Sequence, residues 1–319
     1  MFKKIIVTGG SGFIGSALIR KLLDERDSFI INIDKKNVSS NNENIESHLK
    51  ENENYRKRYK FYSCDLIKFD YLKEIIFDVQ PDLIFNLAAE THVDRSIDNP
   101  KSFLLSNICG TYNLIEITRE YLKEYNEEKF KLIHISTDEV FGSLGKNGQF
   151  RETSPYKPNS PYSASKASSD HLVRAWHKTF SMPFIVTNCS NNYGPWQLPE
   201  KLIPLAINKA LNNDQIPIYG DGLQVRDWLH VLDHAEALIQ IAEKGCIGKS
   251  YCIGGNSEMT NFDTINLICK FLDNIKPKNN SYKNLITFVE DRPGHDSRYA
   301  IDSSLMKNEI GWEPKFNFE

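Results

Sequence analysis

Apolar positions along this chain keep two different rhythms. Short, nearly continuous apolar runs at Ile5-Ile6-Val7-Thr8, Phe29-Ile30-Ile31-Asn32-Ile33, Lys60-Phe61-Tyr62-Ser63-Cys64, Asp82-Leu83-Ile84-Phe85-Asn86-Leu87, Lys131-Leu132-Ile133-His134-Ile135 and Phe184-Ile185-Val186-Thr187 predict six strands. Between them the spacing becomes helical: Phe13, Ile14, Ala17, Leu18, Leu22 and Leu23 lie on one face through about residue 25, and Tyr71, Leu72, Ile75 and Ile76 repeat the pattern. A long helical stretch follows over 101–125. Strands that are apolar throughout, alternating with helices, are the mark of a parallel sheet covered on both faces, so the pattern predicts a doubly wound α/β fold. Residues 37–58 are rich in Asn, Ser, Glu and Lys and carry only Ile45 and Leu49 as apolar candidates, which predicts an exposed loop with at most a short helix. Beyond residue 187 the alternation breaks down, with Gly or Pro at 194, 195, 199, 204, 217, 220 and 222. Hence residues 1–187 are expected to form one domain, and 188–319 mainly a smaller C-terminal α/β domain interleaved with it.

Ligands in open parallel sheets bind beyond the carboxyl ends of the strands. The segment after the first strand suits that place: Gly9, Gly12 and Gly15 permit a tight turn and let backbone approach a pyrophosphate, whose charge would rest on the N–H groups opening the next helix. The second strand ends in Asp34, about twenty residues beyond the last glycine, where a carboxylate can hold ribose hydroxyls. Together these predict an NAD-binding Rossmann domain. An acid at 34 repels a 2′-phosphate and so favours NAD over NADP, while Lys35 and Lys36 pull slightly the other way. Asp65 and Leu66 stand where an adenine edge would lie, and Ala88-Ala89-Glu90-Thr91 is small where a cofactor needs clearance.

The fifth strand stops in Ser136-Thr137-Asp138-Glu139, a hydroxyl and two adjacent carboxylates that packing does not explain. Topology places them at the same ligand edge. Further on, after a loop broken by Pro155, Pro158 and Pro161, come Tyr162 and Lys166, four residues apart and so on one helix face. A phenol is a poor base near its reference pKa of about 10, but an ammonium and an oxidised nicotinamide nearby favour the phenolate.

Composition narrows the remaining options. With 319 residues, 40% of them hydrophobic, the chain can bury a large core. A net charge of −3 supplies no general field for nucleic acid or an acidic membrane surface. Six scattered cysteines without CxxC or zinc spacing suit reduced thiols in a cytoplasmic protein and no metal site. No apolar run nears the roughly 20 residues of a membrane span, and the N-terminal run is too short for a signal peptide. In the irregular part Lys201, Arg226, Arg292, His295 and Arg298, beside Tyr219 and Trp228, form a set that could clamp a ligand diphosphate and stack on a base.

Taken together, these stretches resemble the dTDP-glucose 4,6-dehydratases, a family of the extended short-chain dehydrogenase/reductase superfamily. The resemblance covers nearly the whole chain. Thr8 through Gly15, and Pro161 through Trp176, carry the superfamily; Leu87 through Ser96, Ser190 through Pro204, Tyr219-Gly220-Asp221-Gly222, Arg226-Asp227-Trp228 and Asp291 through Asp296 extend the match. Thr137-Asp138-Glu139 is the dehydratase mark, since epimerases of the superfamily lack the Asp-Glu pair. The resemblance implies a lyase of deoxysugar biosynthesis with tightly held NAD. Tyr162 would take the proton of the sugar C4 hydroxyl, oriented by Thr137, as hydride passes from C4 to NAD. Glu139 would remove the acidified C5 proton, Asp138 would protonate the departing C6 hydroxyl, and hydride would return to C6. It further implies that Gly9, Gly12, Phe13, Ile14, Gly15, Asp34, Asp65, Leu66, Leu87, Ala88, Ala89, Thr91, Ser106, Tyr162, Lys166 and Asn192 line NAD. The nucleotide sugar would be held by Thr91, Thr137, Asn191, Lys201, Leu202, Pro217, Ile218, Tyr219, Arg226, Asn261, Arg292 and His295.

Two departures are visible: Lys35-Lys36-Asn37-Val38-Ser39 replaces the usual Leu-Thr-Tyr-Ala-Gly, and family chains continue past Phe318 into a further helix, so the chain is expected to be truncated there. Members are homodimers joined through two helices, here 101–125 and 162–180. The competing readings are a 4,6-dehydratase of another nucleotide sugar, a nucleotide-sugar 4-epimerase, and a non-catalytic NAD-sensing protein.

Overall fold

A computed structural model of the chain describes residues 2–36, 40–125 and 129–318. Its strands in chain order are β1 (Lys4–Thr8), β2 (Phe29–Asp34), β3 (Tyr59–Ser63), β4 (Leu83–Asn86), β5 (Lys131–Thr137), β6 (Phe184–Cys189), β7 (Asn191–Tyr193), β8 (Ile216–Tyr219), β9 (Val225–His230), β10 (Ser250–Ile253), β11 (Glu258–Thr260) and β12 (Ile286–Val289). Seven of them form the central sheet in the order β10-β6-β5-β4-β1-β2-β3, every neighbouring pair parallel. The chain moves outward from β1 through β2 to β3, then returns to set β4 on the other side of β1. The crevice at that reversal, beyond the carboxyl ends of β1 and β4, is where such sheets take a ligand.

Alternation within each strand divides the core. Ile5, Val7, Phe85 and Ile133 face one layer, where Leu18 and Leu22 of helix Phe13–Glu25 and Leu238 and Ile241 of helix Val231–Lys244 pack on them. Ile6, Ile84, Leu132 and Val186 face the other, against Leu72 of helix Phe69–Val79, Leu114 and Ile117 of helix Gly110–Tyr125, and Val173 of helix Pro161–Phe180. Each such Leu or Ile contributes about 1.5–3 kcal/mol through burial, which fixes the strand register firmly.

Three segments differ from the sequence pattern. The stretch expected to be mostly loop contains helices Glu43–Glu51 and Glu53–Lys57, because Ile45 and Leu49, one turn apart, are both buried against Leu18 and Leu22; Asn37, Val38 and Ser39 lie outside the described residues. The long stretch over 101–125 opens as helix Pro100–Phe103, widens into a π turn at Leu104–Cys109 and continues as Gly110–Tyr125. Inside that turn Asn107 is buried: its Oδ1 accepts the Glu90 N–H, and its Nδ2 donates to the Glu90 carbonyl and to Ser165 Oγ. Lastly, β10 is a seventh strand of the main sheet, drawn from the C-terminal half and paired with β6.

Part of the C-terminal half packs separately, while helix Val231–Lys244, β10 and residues 306–312 join the main core. Strand β9 lies between β7, parallel, and β11, antiparallel, while β8 and β12 pair in parallel. Helices Leu202–Leu211 and Asn261–Ile275 close a small core of Ala206, Ile216, Ile218, Ile265 and Leu272. Among the described residues no helix is long and apolar enough to cross a membrane.

Candidate active site

A cavity of about 270 Å³ opens at the carboxyl ends of β1, β4, β5 and β6. Its first wall is the glycine turn. Gly9 has φ +68°, and a Cβ there would come within 2.7 Å of the Ala88 nitrogen; a Cβ on Gly15 would come within 2.3 Å of the Gly9 carbonyl oxygen. Only glycines let β1, β4 and the following helix approach so closely. That helix begins at Phe13 with Gly12 as its cap, no capping side chain and no acid in its first turn, so its leading N–H groups are free for an anion. At the end of β2, Asp34 accepts hydrogen bonds from the Ser11 N–H (3.0 Å) and from Ser40 Oγ (2.7 Å). Burial raises its pKa, with Ser40 and Ser11 opposing. Lys35 turns across the opening, its Nζ 2.9 Å from Glu90 and 2.6 Å from Ser106 Oγ. A cradle a Cβ would fill, an uncapped helix start and an acid at the second strand end fit a dinucleotide.

Every residue expected at NAD borders this one cavity: Gly9, Gly12, Phe13, Ile14, Gly15, Asp34, Asp65, Leu66, Leu87, Ala88, Ala89, Thr91, Ser106, Tyr162, Lys166 and Asn192. Thr137, Asp138 and Glu139 form its opposite wall. Strand β5 ends at Thr137 and passes into a single 3-10 turn, Asp138–Phe141, which Thr137 caps: Oγ1 accepts the Glu139 N–H (3.3 Å) and donates to Asp138 Oδ1 (3.2 Å). Asp138 is 1% exposed and its Oδ2 has no hydrogen-bond partner among the described residues. Burial, then the Glu139 and Asp227 carboxylates, lift its pKa well above the usual range. Glu139 is also raised by burial, but the charges of Arg292, Arg226 and Lys201 draw it back down. Both carboxyls are thus raised, Asp138 strongly and Glu139 against the opposing charges of three cations.

Tyr162 is the second residue of helix Pro161–Phe180, whose start is fixed by a capping box between Ser160 and Ser163 and by a hydrogen bond from the Tyr162 N–H to Ser96 Oγ (3.2 Å). Burial and the Glu139 carboxylate push its phenol well above the ordinary value, and the Thr137 hydroxyl works against them. Lys166, expected from the sequence to favour the phenolate, borders the same cavity; its ammonium donates to the Ile135 carbonyl (2.7 Å), and burial lowers its own pKa.

Residues expected at the nucleotide sugar divide into two groups. Thr91, Thr137, Asn191 and Lys201 border the cavity. Leu202, Pro217, Ile218, Tyr219, Arg226, Asn261, Arg292 and His295 do not; they lie in the C-terminal half. Arg226 is buried over the Tyr299 ring (4.4 Å) and donates to the Asp296 carbonyl. Arg292 pairs with Asp94 (3.2 Å), and His295 Nδ1 with Asp291 (2.6 Å). Ile218 is 1% exposed within the small core, so it can offer a ligand only backbone. Sequence reasoning did not single out Cys189, Ser190, Gln197 and Leu198, which also line the cavity; the last three fall inside the Ser190 through Pro204 stretch, which was the available signal. Glu200, which pairs with Arg95 at 2.5 Å and so ties helix Val93–Asp98 to the C-terminal half, falls in that stretch too. Among the described residues no group of three or more His, Cys, Asp or Glu could hold a metal ion.

The family described as GDP-mannose 4,6 dehydratase matches residues 6–319. A dTDP-glucose 4,6-dehydratase of Shigella flexneri is 49% identical over 99% of this chain and 90% of its own, and one of Haemophilus influenzae is 49% identical over 99% and 94%. Among solved structures, a dTDP-glucose 4,6-dehydratase from Bacillus anthracis in complex with NAD superposes with a TM-score of 0.87 at 43% identity, covering 99% of this chain and 93% of that one. A UDP-glucuronic acid 4-epimerase from Bacillus cereus shares the architecture at a TM-score of 0.85 but only 29% identity, over 98% and 94% of the two chains. Identity at this level along almost the entire length, together with the Asp138-Glu139 pair in the wall of the cavity, establishes that the chain belongs to the dTDP-glucose 4,6-dehydratases of the extended short-chain dehydrogenase/reductase superfamily.

Proposed function

We propose that the protein converts dTDP-glucose to dTDP-4-keto-6-deoxyglucose and water. The observation that carries this reading is the adjacency of Asp138 and Glu139, unequally offset by nearby cations, within one cavity that also holds Tyr162 and the glycine turn. NAD would be held by the glycine turn and Asp34 and would supply the hydride acceptor at C4 and the hydride returned to C6. Tyr162 accepts the proton of the C4 hydroxyl, which the Thr137 hydroxyl orients. The resulting C4 ketone acidifies C5, and Glu139 removes that proton. Asp138, whose burial favours the protonated form, gives its proton to the C6 oxygen, so that water departs as the C5–C6 double bond forms. Glu139 then returns its proton to C5. One elimination needs an acid and a base at once, which two like residues in unlike surroundings provide.

Lys201, Arg226, Arg292 and His295, with Asn191, are assigned to the diphosphate, and Tyr219, Asn261, Leu202 and the backbone at Pro217 and Ile218 to the nucleoside. The NAD half is assigned to 1–187 and the sugar-nucleotide half mainly to 188–319. Exposed Leu104, Leu105, Tyr112 and Phe180 on the two helical stretches support a homodimer formed there. Six free cysteines support a cytoplasmic setting.

Incubation with dTDP-glucose, with product mass and near-ultraviolet absorbance in alkali as readouts, tests the proposal. The expected product is lighter by one water and absorbs in base. An epimer of unchanged mass would overturn the reading in favour of a 4-epimerase, and bound NAD without turnover of any nucleotide sugar would favour a sensing protein.

A further inference from the structure

Beneath the cavity lies a buried polar cluster to which the chemistry above gives no part. Asp170, on helix Pro161–Phe180 one turn beyond Lys166, is 0% exposed. Its Oδ2 accepts from Tyr156 Oη (2.7 Å) and from Asn188 Nδ2 (3.3 Å), and its Oδ1 faces His134 Nε2 at 3.2 Å. His134 does not neutralise it. Thr8 Oγ1 donates to Asn86 Oδ1, so Asn86 presents Nδ2 to His134 Nδ1 (3.0 Å), which leaves the imidazole proton on Nε2 and the ring neutral. Burial likewise lowers the His134 pKa.

A full negative charge removed from water needs a positive one nearby. From β5 Asp170 meets neutral His134, from β6 the Asn188 amide, from the preceding loop the Tyr156 phenol, and from its own helix Lys166 and Arg174. Arg174 is drawn aside, its guanidinium over the Tyr156 ring (4.8 Å) and bonded to Ser250. Lys166, buried on the same helix face, meets the Ile135 carbonyl from β5 and the Cys189 thiol from β6, neither of which carries a compensating charge. The carboxylate and the ammonium therefore answer one another. We propose that Asp170 is the buried counter-charge that keeps Lys166 an ammonium at the floor of the cavity, a positioning residue held by Tyr156 and Asn188. Each group's titration carries the other's charge, although burial still lowers Lys166 overall. Burial lowers Lys166 and Asp170 opposes it; burial works against the Asp170 carboxylate, yet His134, Lys166 and Tyr156 outweigh it and hold its pKa below normal. The inference rests on the expectation that the Lys166 ammonium favours the Tyr162 phenolate in the proposed reaction but is tested without it.

Lysine-selective 13C labelling of the full chain, with the Lys166 signal assigned by its loss in Lys166→Met, reads the ammonium directly. In Asp170→Asn the Lys166 midpoint should fall by about 1 to 3 pH units, and an unchanged midpoint would overturn the proposal. In turnover assays the alkaline limb of kcat should move by the same amount with KM little changed; a lower kcat without that movement would mean that Asp170 only shapes the helix. Should Asp170→Asn fold poorly, melting temperatures decide. Lys166→Met combined with Asp170→Asn should melt above Asp170→Asn alone, because the uncompensated charge is gone, whereas additive losses would sink the idea. An inactive parent with a shifted Lys166 midpoint would fault the reaction and leave this pair standing.

Discussion

Asp138 and Glu139 are consecutive carboxyls to which the proposed reaction gives different tasks, and their surroundings differ. Arg226, Arg292 and Lys201 draw Glu139 toward its charged form, while Asp138 stays under the weight of burial. Glu139→Gln should lower dehydration by at least about 100-fold, the usual scale for losing a positioned base, while reduced-nicotinamide absorbance still rises on mixing with substrate; absence of both signals would show that Glu139 serves C4 oxidation as well. Asp138→Asn should be inactive yet more stable than the parent in mild alkali. The folded pKa of Asp138 lies above the 3.8 of an ordinary Asp, so its stabilising contribution is full below that pH and is lost as pH rises through the folded value. Melting curves across pH check this: the variant's advantage should shrink toward acid, and a constant offset would refute it. The pair itself was legible in the sequence, because two acids and a hydroxyl at the end of an apolar strand have no packing reason to be there. The division between them was not, since it depends on cations that reach the site from distant parts of the chain. For the same reason Asp170 was silent: within a helix it looks like any solvent-facing acid, and only its neighbours from β5, β6 and the loop at Tyr156 reveal a buried charge.

At the scale of elements, the glycine turn is the sharpest device. A Cβ on Gly15 would strike the Gly9 carbonyl and the Gly10 Cα, both backbone, so neither can swing aside. Gly15→Ala should therefore weaken NAD retention by tenfold or more, about 1.4 kcal/mol, measured as nucleotide released on acid denaturation; full retention would show that the turn tolerates displacement. The six strands of the first half could be read directly because most are nearly continuous apolar runs bounded by turns; β3 (Tyr59–Ser63), with Lys60 and Ser63 exposed, is the weakest of them. The π turn at Leu104–Cys109 could not, since apolar spacing there suits an ordinary helix and only the burial of Asn107 distinguishes it. Nor could β10: four residues, Ser250–Ile253, following an irregular stretch carry too little pattern to be assigned to a sheet whose other strands end before residue 190.

For the whole molecule the two halves depend on one another, joined by Arg95 to Glu200, by Arg292 to Asp94 and by the shared sheet. Leu104, Leu105, Tyr112 and Phe180 are among the exposed apolar side chains and lie on the helical stretches proposed for a dimer, with Leu104 at 47% exposure. Leu104→Glu combined with Leu105→Glu should shift sedimentation from dimer to monomer without loss of helix by circular dichroism, and an unchanged sedimentation coefficient would move the interface elsewhere.

Strand β10 also bears on how the polypeptide comes into being. During synthesis β6 emerges well before its last neighbour, and until residue 253 has left the ribosome its outer edge presents unpaired N–H and C=O groups and the apolar side chains of Ile185 and Val186. The nascent chain must therefore wait through the making of about half of its C-terminal part, residues 188–253, before the seven-stranded sheet is sealed, and a messenger cut short in that interval would yield a fragment with an open sheet edge.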